Sequence, residues 1–75
     1  MTPVEFDVIA KLISSREPAK SAARRVMVDG IAPSDAAREA EITRQSVGNT
    51  LARFRAAEAL ILTAYIPLKN IRNRA

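Results

Sequence analysis

The stretch Pro33–Ala52 reads PSDAAREAEITRQSVGNTLA, and its punctuation decides the fold. Pro33-Ser34-Asp35 has the make-up of a helix start, with proline in the first turn and an acid beside it. Small residues follow at Ala36, Ala37 and Ala40. Glu41-Ile42 then forms a turn, and Thr43 is a good N-cap for a second helix. The spacing predicts a short helix over about Ser34–Ala40 and a second one opening at Thr43 and running through Arg53. Two helices joined this tightly must cross at close range, which the alanines permit. Ile42, Val47 and Leu51 supply the apolar plug, and Ala37 and Val47 stand ten residues apart, as touching positions of a helix-turn-helix do. Glu41 stands where such turns commonly carry glycine, and a left-handed L-residue there costs ~1 kcal/mol.

That packing leaves Arg44, Gln45, Gly48 and Asn49, with Ala52 further on, facing outward. The chemistry suits a major-groove reader. Arg44 can donate two hydrogen bonds to guanine O6 and N7, while Asn49 and Gln45 can pair with adenine N6 and N7. Gly48 and Ala52 are small enough to let the helix approach base edges. Thr43 and Ser46 suit phosphate oxygens, and Arg53 and Arg55, further along, are expected to touch the DNA backbone. The bland alternative for each polar residue is a solvated helix surface.

Charge is divided in the same place. Residues 1–41 hold six basic and seven acidic groups, whereas residues 42–75 hold six basic groups against Glu58 alone. The basic half begins where the reading helix begins, which favours a polyanionic partner.

Seventy-five residues make one small domain, near the size at which a single core is marginal and a partner subunit helps. Hydrophobic residues reach 48% but aromatic ones only 4%, so close helix contacts through alanine are favoured over a thick core. The chain has neither Cys nor His. That removes disulfides, thiolate metal sites, the commonest general base and the commonest zinc ligand. No run approaches the ~20 apolar residues of a membrane span, and the start lacks a signal-peptide layout, so a cytoplasmic location is expected. No cofactor, metal or small-molecule substrate is expected, and no enzyme: Asp29, Asp35 and Glu39 read as cap, first-turn and surface groups.

Working outward, the chain is expected to be all-α, a small helical bundle of four or five helices. Thr2-Pro3-Val4-Glu5 spells a capping box, after which Val4, Val8, Ile9, Leu12 and Ile13 line one face until Ser14-Ser15. A second helix starts near Glu17-Pro18, packs through Ala19, Ala22, Ala23, Val26 and Met27, turns Lys20 and Arg24 away, and ends at Asp29-Gly30. Beyond Arg53 the last helix either continues to about Ala64 or restarts near Ala56, and Pro67 is expected to stop it, leaving a frayed basic tail. From Ala56 to Ile66 the chain is apolar nearly all round. Ala57, Leu60, Ile61, Ala64, Tyr65 and Leu68 are placed to pack on the domain, with Leu62 and Ile66 projecting elsewhere. A domain this small cannot cover every face, so Leu60, Ile61, Leu62, Tyr65 and Ile66 are expected at a homodimer interface. Residues 1–55 then form a helix-turn-helix DNA-binding domain with its motif at 33–52, and residues 56–75 the dimerising helix and tail.

The run RRVMVDGIAPSDAAREAEITRQSVGNTLARF resembles the TrfB/KorA-type transcriptional repressors of conjugative plasmids, ArdK-like regulators included. The shared features are a VxVDG element at Val26–Gly30, a short Ala-rich helix and a TR…V…N/Q second helix, over about residues 2–55. The resemblance implies a small all-helical homodimeric repressor binding short operator repeats. It implies base contacts at the Arg after the N-cap Thr and at a later amide, which match Arg44 and Asn49. The competing reading is a helical protein–protein module, an antitoxin or adaptor, that uses the apolar C-terminal helix as its main surface.

Overall fold

Each helix begins where a proline or a side-chain acceptor can serve its first turn. The computed structural model describes residues 1–74, with side chains through Ala64. It contains α1 (Pro3–Leu12), α2 (Ala19–Met27), α3 (Pro33–Ala40) and α4 (Arg44–Arg74), and no strand among the described residues. The chain is all-α.

At α1 the capping box is complete: Thr2 Oγ1 accepts from the Glu5 N–H at 3.2 Å and the Glu5 carboxylate accepts from the Thr2 N–H at 2.9 Å. Those bonds favour the ionised acid and hold Glu5 below the usual carboxylate range. Ahead of α2, Glu17 accepts from the Ser21 hydroxyl at 2.6 Å and the Ser21 N–H at 2.8 Å, which lowers its pKa in the same way. Pro33 occupies the first turn of α3, and Thr43 Oγ1 caps α4 by accepting from the Ser46 N–H at 3.0 Å.

The helix ends are equally local. After α3 the Ile42 N–H bonds the Ala37 carbonyl at 3.0 Å and the Glu41 N–H bonds the Arg38 carbonyl at 3.2 Å. Glu41 sits in the left-handed region at φ 56° and ψ 41°. This is a Schellman closure. The end of α1 repeats it, with Ser15 bonded to Ala10, Ser14 bonded to Lys11, and Ser14 at φ 53°. Glycine takes the left-handed position only after α2, where Gly30 has φ 79°. Glu41→Gly is therefore expected to raise stability by about 1 kcal/mol, read as a higher denaturant midpoint at unchanged slope. A lower midpoint would show that the Glu41 side chain supports the turn.

The four helices meet around two aromatic rings. Phe6 of α1 and Phe54 of α4 stack with centroids 4.5 Å apart and planes 8° from parallel. Ala22 and Ala23 of α2, Ala36 and Ala37 of α3, and Val47 and Leu51 of α4 close the core around them. The small side chains let α2 and α3 come close to α4. Arg25 then ties the two outer helices together: its guanidinium donates to Glu39 at 2.9 Å and to Asp29 at 2.9 Å, and it depresses the Glu39 pKa.

Expectations in three of the helices need correction. In α1, Val4, Val8 and Leu12 are 73%, 53% and 66% exposed; the buried stripe is Phe6, Ile9 and Ala10, with Ile13 beside it. Both stripes have helical spacing, and burying the larger Phe6 against Phe54 turns the valines outward. In α2, Arg24 does not turn away: it lies over the Phe6 ring, 5.7 Å from the centroid, and bonds Asp7 at 2.7 Å. In α4 there is no break at Ala56, and the helix passes Pro67 to reach Arg74. Proline removes one backbone hydrogen bond, and the helix-forming residues before it carry the segment through. Leu60 and Ala64 are exposed and do not pack on the domain, whereas Ile61, 40% exposed, lies beside α1 and Ala57 is half-buried. The interface positions Tyr65 and Ile66, and Leu68, lie outside the residues whose side chains are described.

Candidate nucleic-acid interface

α4 leaves the Glu41–Thr43 turn with one side fixed and the other open. Val47, Thr50, Leu51 and Phe54 are buried against the other helices. At ~100° per residue the opposite side carries Gln45, Gly48, Asn49 and Ala52, all exposed. Arg44 and Arg55 fall on one flank of this face and Arg53 on the other.

The cationic groups differ in what they already hold. Arg24, Arg25 and Arg38 of the supporting helices are each ion-paired, with Asp7, with Asp29 and Glu39, and with Asp35 respectively. Among the described residues Arg44 and Arg55 have no ion-pair partner and are open to an external anion. Arg53 is partly engaged: its Nη2 donates to the Ile13 carbonyl at 2.6 Å, closing the end of α1. Its remaining N–H groups stay available to a phosphate. Thr43 is exposed but its Oγ1 already serves as the cap, and Ser46 is half-buried. The backbone N–H groups opening α4 point out of the same end, since the first N–H groups of a helix have no partner within it.

Gly48 is the most telling position on the face. A glycine in a helix interior costs ~1 kcal/mol relative to alanine. A Cβ added there would meet nothing within 4 Å, so packing within the chain gives no reason for glycine. A backbone bare of side chain on an exposed polar face, between Arg44 and Arg55 on one flank and the two amides, suits the close approach of something outside.

The carboxylates with depressed pKa values, Glu5 in α1, Glu17 just ahead of α2 and Glu39 in α3, lie away from this face, and hydrogen bonds explain them. Among the described residues no three His, Cys, Asp or Glu side chains group as a metal site. Nor, among the described residues, is any helix long and apolar enough to cross a membrane.

The structure thus brings Gln45 and Asn49 together on one open face with Gly48 and Ala52, places Arg44 and Arg55 at its edge, and leaves Arg53 and Ser46 less free than the spacing implied. A different surface escaped the sequence: Val4 and Val8 lie beside Ile61 and Leu62. The signal for it was Phe6, whose phase in α1 competes with that of the valines. Compared with known proteins, the chain matches no family model, no curated protein and no solved structure.

Proposed function

We propose that the chain is a sequence-specific double-stranded DNA-binding transcriptional repressor without catalysis of its own. In this reading α3, the Glu41–Thr43 turn and α4 act as a helix-turn-helix, and the first turns of α4 enter the major groove. Arg44, Gln45 and Asn49 read bases, while Thr43, Ser46, Arg55 and the free N–H groups of Arg53 hold the DNA backbone. The single observation that carries the reading is the open face around Gly48. It combines two amide side chains, a backbone bare enough for close approach, and flanking arginines without partners. Repression, operator repeats and plasmid promoters follow from the resemblance to TrfB/KorA-type repressors. The exposed apolar end of α4, including Leu60, Ile61 and Leu62, supports a homodimer that reads two half-sites ~34 Å apart.

The apolar surface supports one other reading, a protein–protein module that needs no DNA. Titration with duplex DNA separates the two. Arg44→Ala is expected to weaken binding to the preferred duplex by roughly 1–3 kcal/mol and to relax preference at one base position. An unchanged preference would remove Arg44 from the reading set. No preference in the native chain, once competitor DNA is added, would favour the protein–protein module.

A further inference from the structure

The six basic side chains before Ile42 fall into two sets. Arg24, Arg25 and Arg38 are ion-paired, whereas Lys11, Arg16 and Lys20 have no ion-pair partner among the described residues. The unpaired set gathers at one corner, where α1 ends and α2 begins. Lys11 and Lys20 line an open cleft of about 430 Å³ there, together with Ser14 and Ser15. Arg16, the next residue in the chain, is exposed, as are Lys11 and Ser14. The Ser15 hydroxyl oxygen is buried and has no hydrogen-bond partner. The acids of this corner are already engaged. Asp7 also lines the cleft, but its carboxylate accepts from Arg24 at 2.7 Å. Glu17 accepts from the hydroxyl and the N–H of Ser21. The near-neutral count of the first half of the chain therefore conceals a cationic corner.

That corner adjoins the open face of α4. α1 starts beside Ile61 and Leu62 and ends beside Arg53, so it runs toward the opening turns of α4. Arg53 bonds the Ile13 carbonyl, and the chain passes from Ile13 straight into Ser14, Ser15 and Arg16. A helix seated in a major groove has a sugar-phosphate strand on each side. Arg44 and Arg55 stand on one flank of the face. On the other flank stands Arg53, and beyond it the corner.

We propose that the α1–α2 corner is a second phosphate-binding surface, where Lys11, Arg16 and Lys20 hold the backbone of duplex DNA on the Arg53 flank of α4. The inference rests on the DNA reading above and extends its contact to elements outside the helix-turn-helix. Charge complementarity selects the occupant: unpaired cations and an exposed Ser14 hydroxyl suit the regularly spaced anions of a phosphodiester strand. The lysines act as flexible point charges, which suits backbone holding and carries no base preference. Sequence is read by α4, and the corner fixes how the domain sits on one strand.

Lys11→Gln, Arg16→Gln and Lys20→Gln, combined in one full-length chain, test this. No ion pair is lost, so the thermal melt should match that of the native chain. Binding to the preferred duplex is followed by anisotropy over a range of salt concentrations. Each lost phosphate contact lowers the salt slope by ~0.9, so the slope should fall by ~2–3 and the affinity at 0.1 M salt by ~10-fold or more. The preferred sequence should not change. Ethylation interference then locates the contacts: ethylated phosphates on the Arg53 flank should hinder the native chain and not the variant. An unchanged salt slope, or an interference pattern identical to that of the native chain, would overturn the corner and leave reading by α4 standing. An unchanged slope with inorganic phosphate saturating the native cleft would overturn it in favour of a free-phosphate site. A native chain without preference for any duplex would overturn the DNA reading and the corner with it.

Discussion

Phe54→Ala is expected to cost about 3–5 kcal/mol and to leave most of the chain unfolded at room temperature. The ring is fully buried, stacked on Phe6, and joins the first helix to the last. Alanine would remove the stack and leave a cavity lined by side chains too small to fill it, since Ala22, Ala23, Ala36 and Ala37 cannot extend into the gap. A domain of this length rarely has more than ~3–5 kcal/mol to lose. Urea titration followed by circular dichroism would show little or no folded baseline. Leu60→Ala removes a side chain of comparable class that is 71% exposed, and in the dilute protein should change stability by no more than ~0.5 kcal/mol. Both measurements belong at one fixed low concentration, because association would add to the apparent stability. Native-like unfolding of Phe54→Ala would mean that the stacked pair is not the centre of the fold.

Gly48→Glu should separate folding from binding. In the free chain the new side chain has open space, and replacing glycine within a helix is expected to stabilise α4 by up to ~1 kcal/mol. On DNA the same side chain would stand between the helix and the groove floor, with its charge among phosphates. Like-charge juxtaposition of that kind costs several kcal/mol, a loss of more than ~100-fold in affinity. Anisotropy with a labelled duplex and a thermal melt of the same sample read both effects. A higher melting temperature with binding abolished is the expected pair. A stabilised variant that binds DNA as the native chain does would place the contact on another surface.

What the residues announced in advance was mostly what neighbours along the chain decide. Thr2 with Glu5, and Thr43 with Ser46, form caps from adjacent residues, and those starts lie where the spacing put them. The left-handed strain at Glu41 was visible because the turn is short. The inward phase of α4 was plain as well, since Val47, Leu51 and Phe54 allow one buried side, and the exposed position of Gln45 and Asn49 follows from it. Features set by distant residues were not legible. The first helix offered two apolar stripes, and only the meeting of Phe6 with Phe54 chose between them. Arg53 read as a free cation because its acceptor, the Ile13 carbonyl, belongs to an element far away in sequence. The passage of α4 beyond Pro67 escaped because a proline's local cost says nothing of the helix formers before it. That Gly48 faces outward was read from the spacing, but that a Cβ there meets nothing within 4 Å could be known only once the neighbouring helices were in place.

Selection of bound sequences from a random pool of duplex DNA, carried out with the full chain, tests the central claim most directly. The account predicts enrichment of one short motif, present as two half-sites related by two-fold symmetry and spaced by about one helical turn. The motif should hold guanine and adenine positions that change when Arg44 or Asn49 is replaced. A selected pool no different in sequence from the starting pool would contradict it.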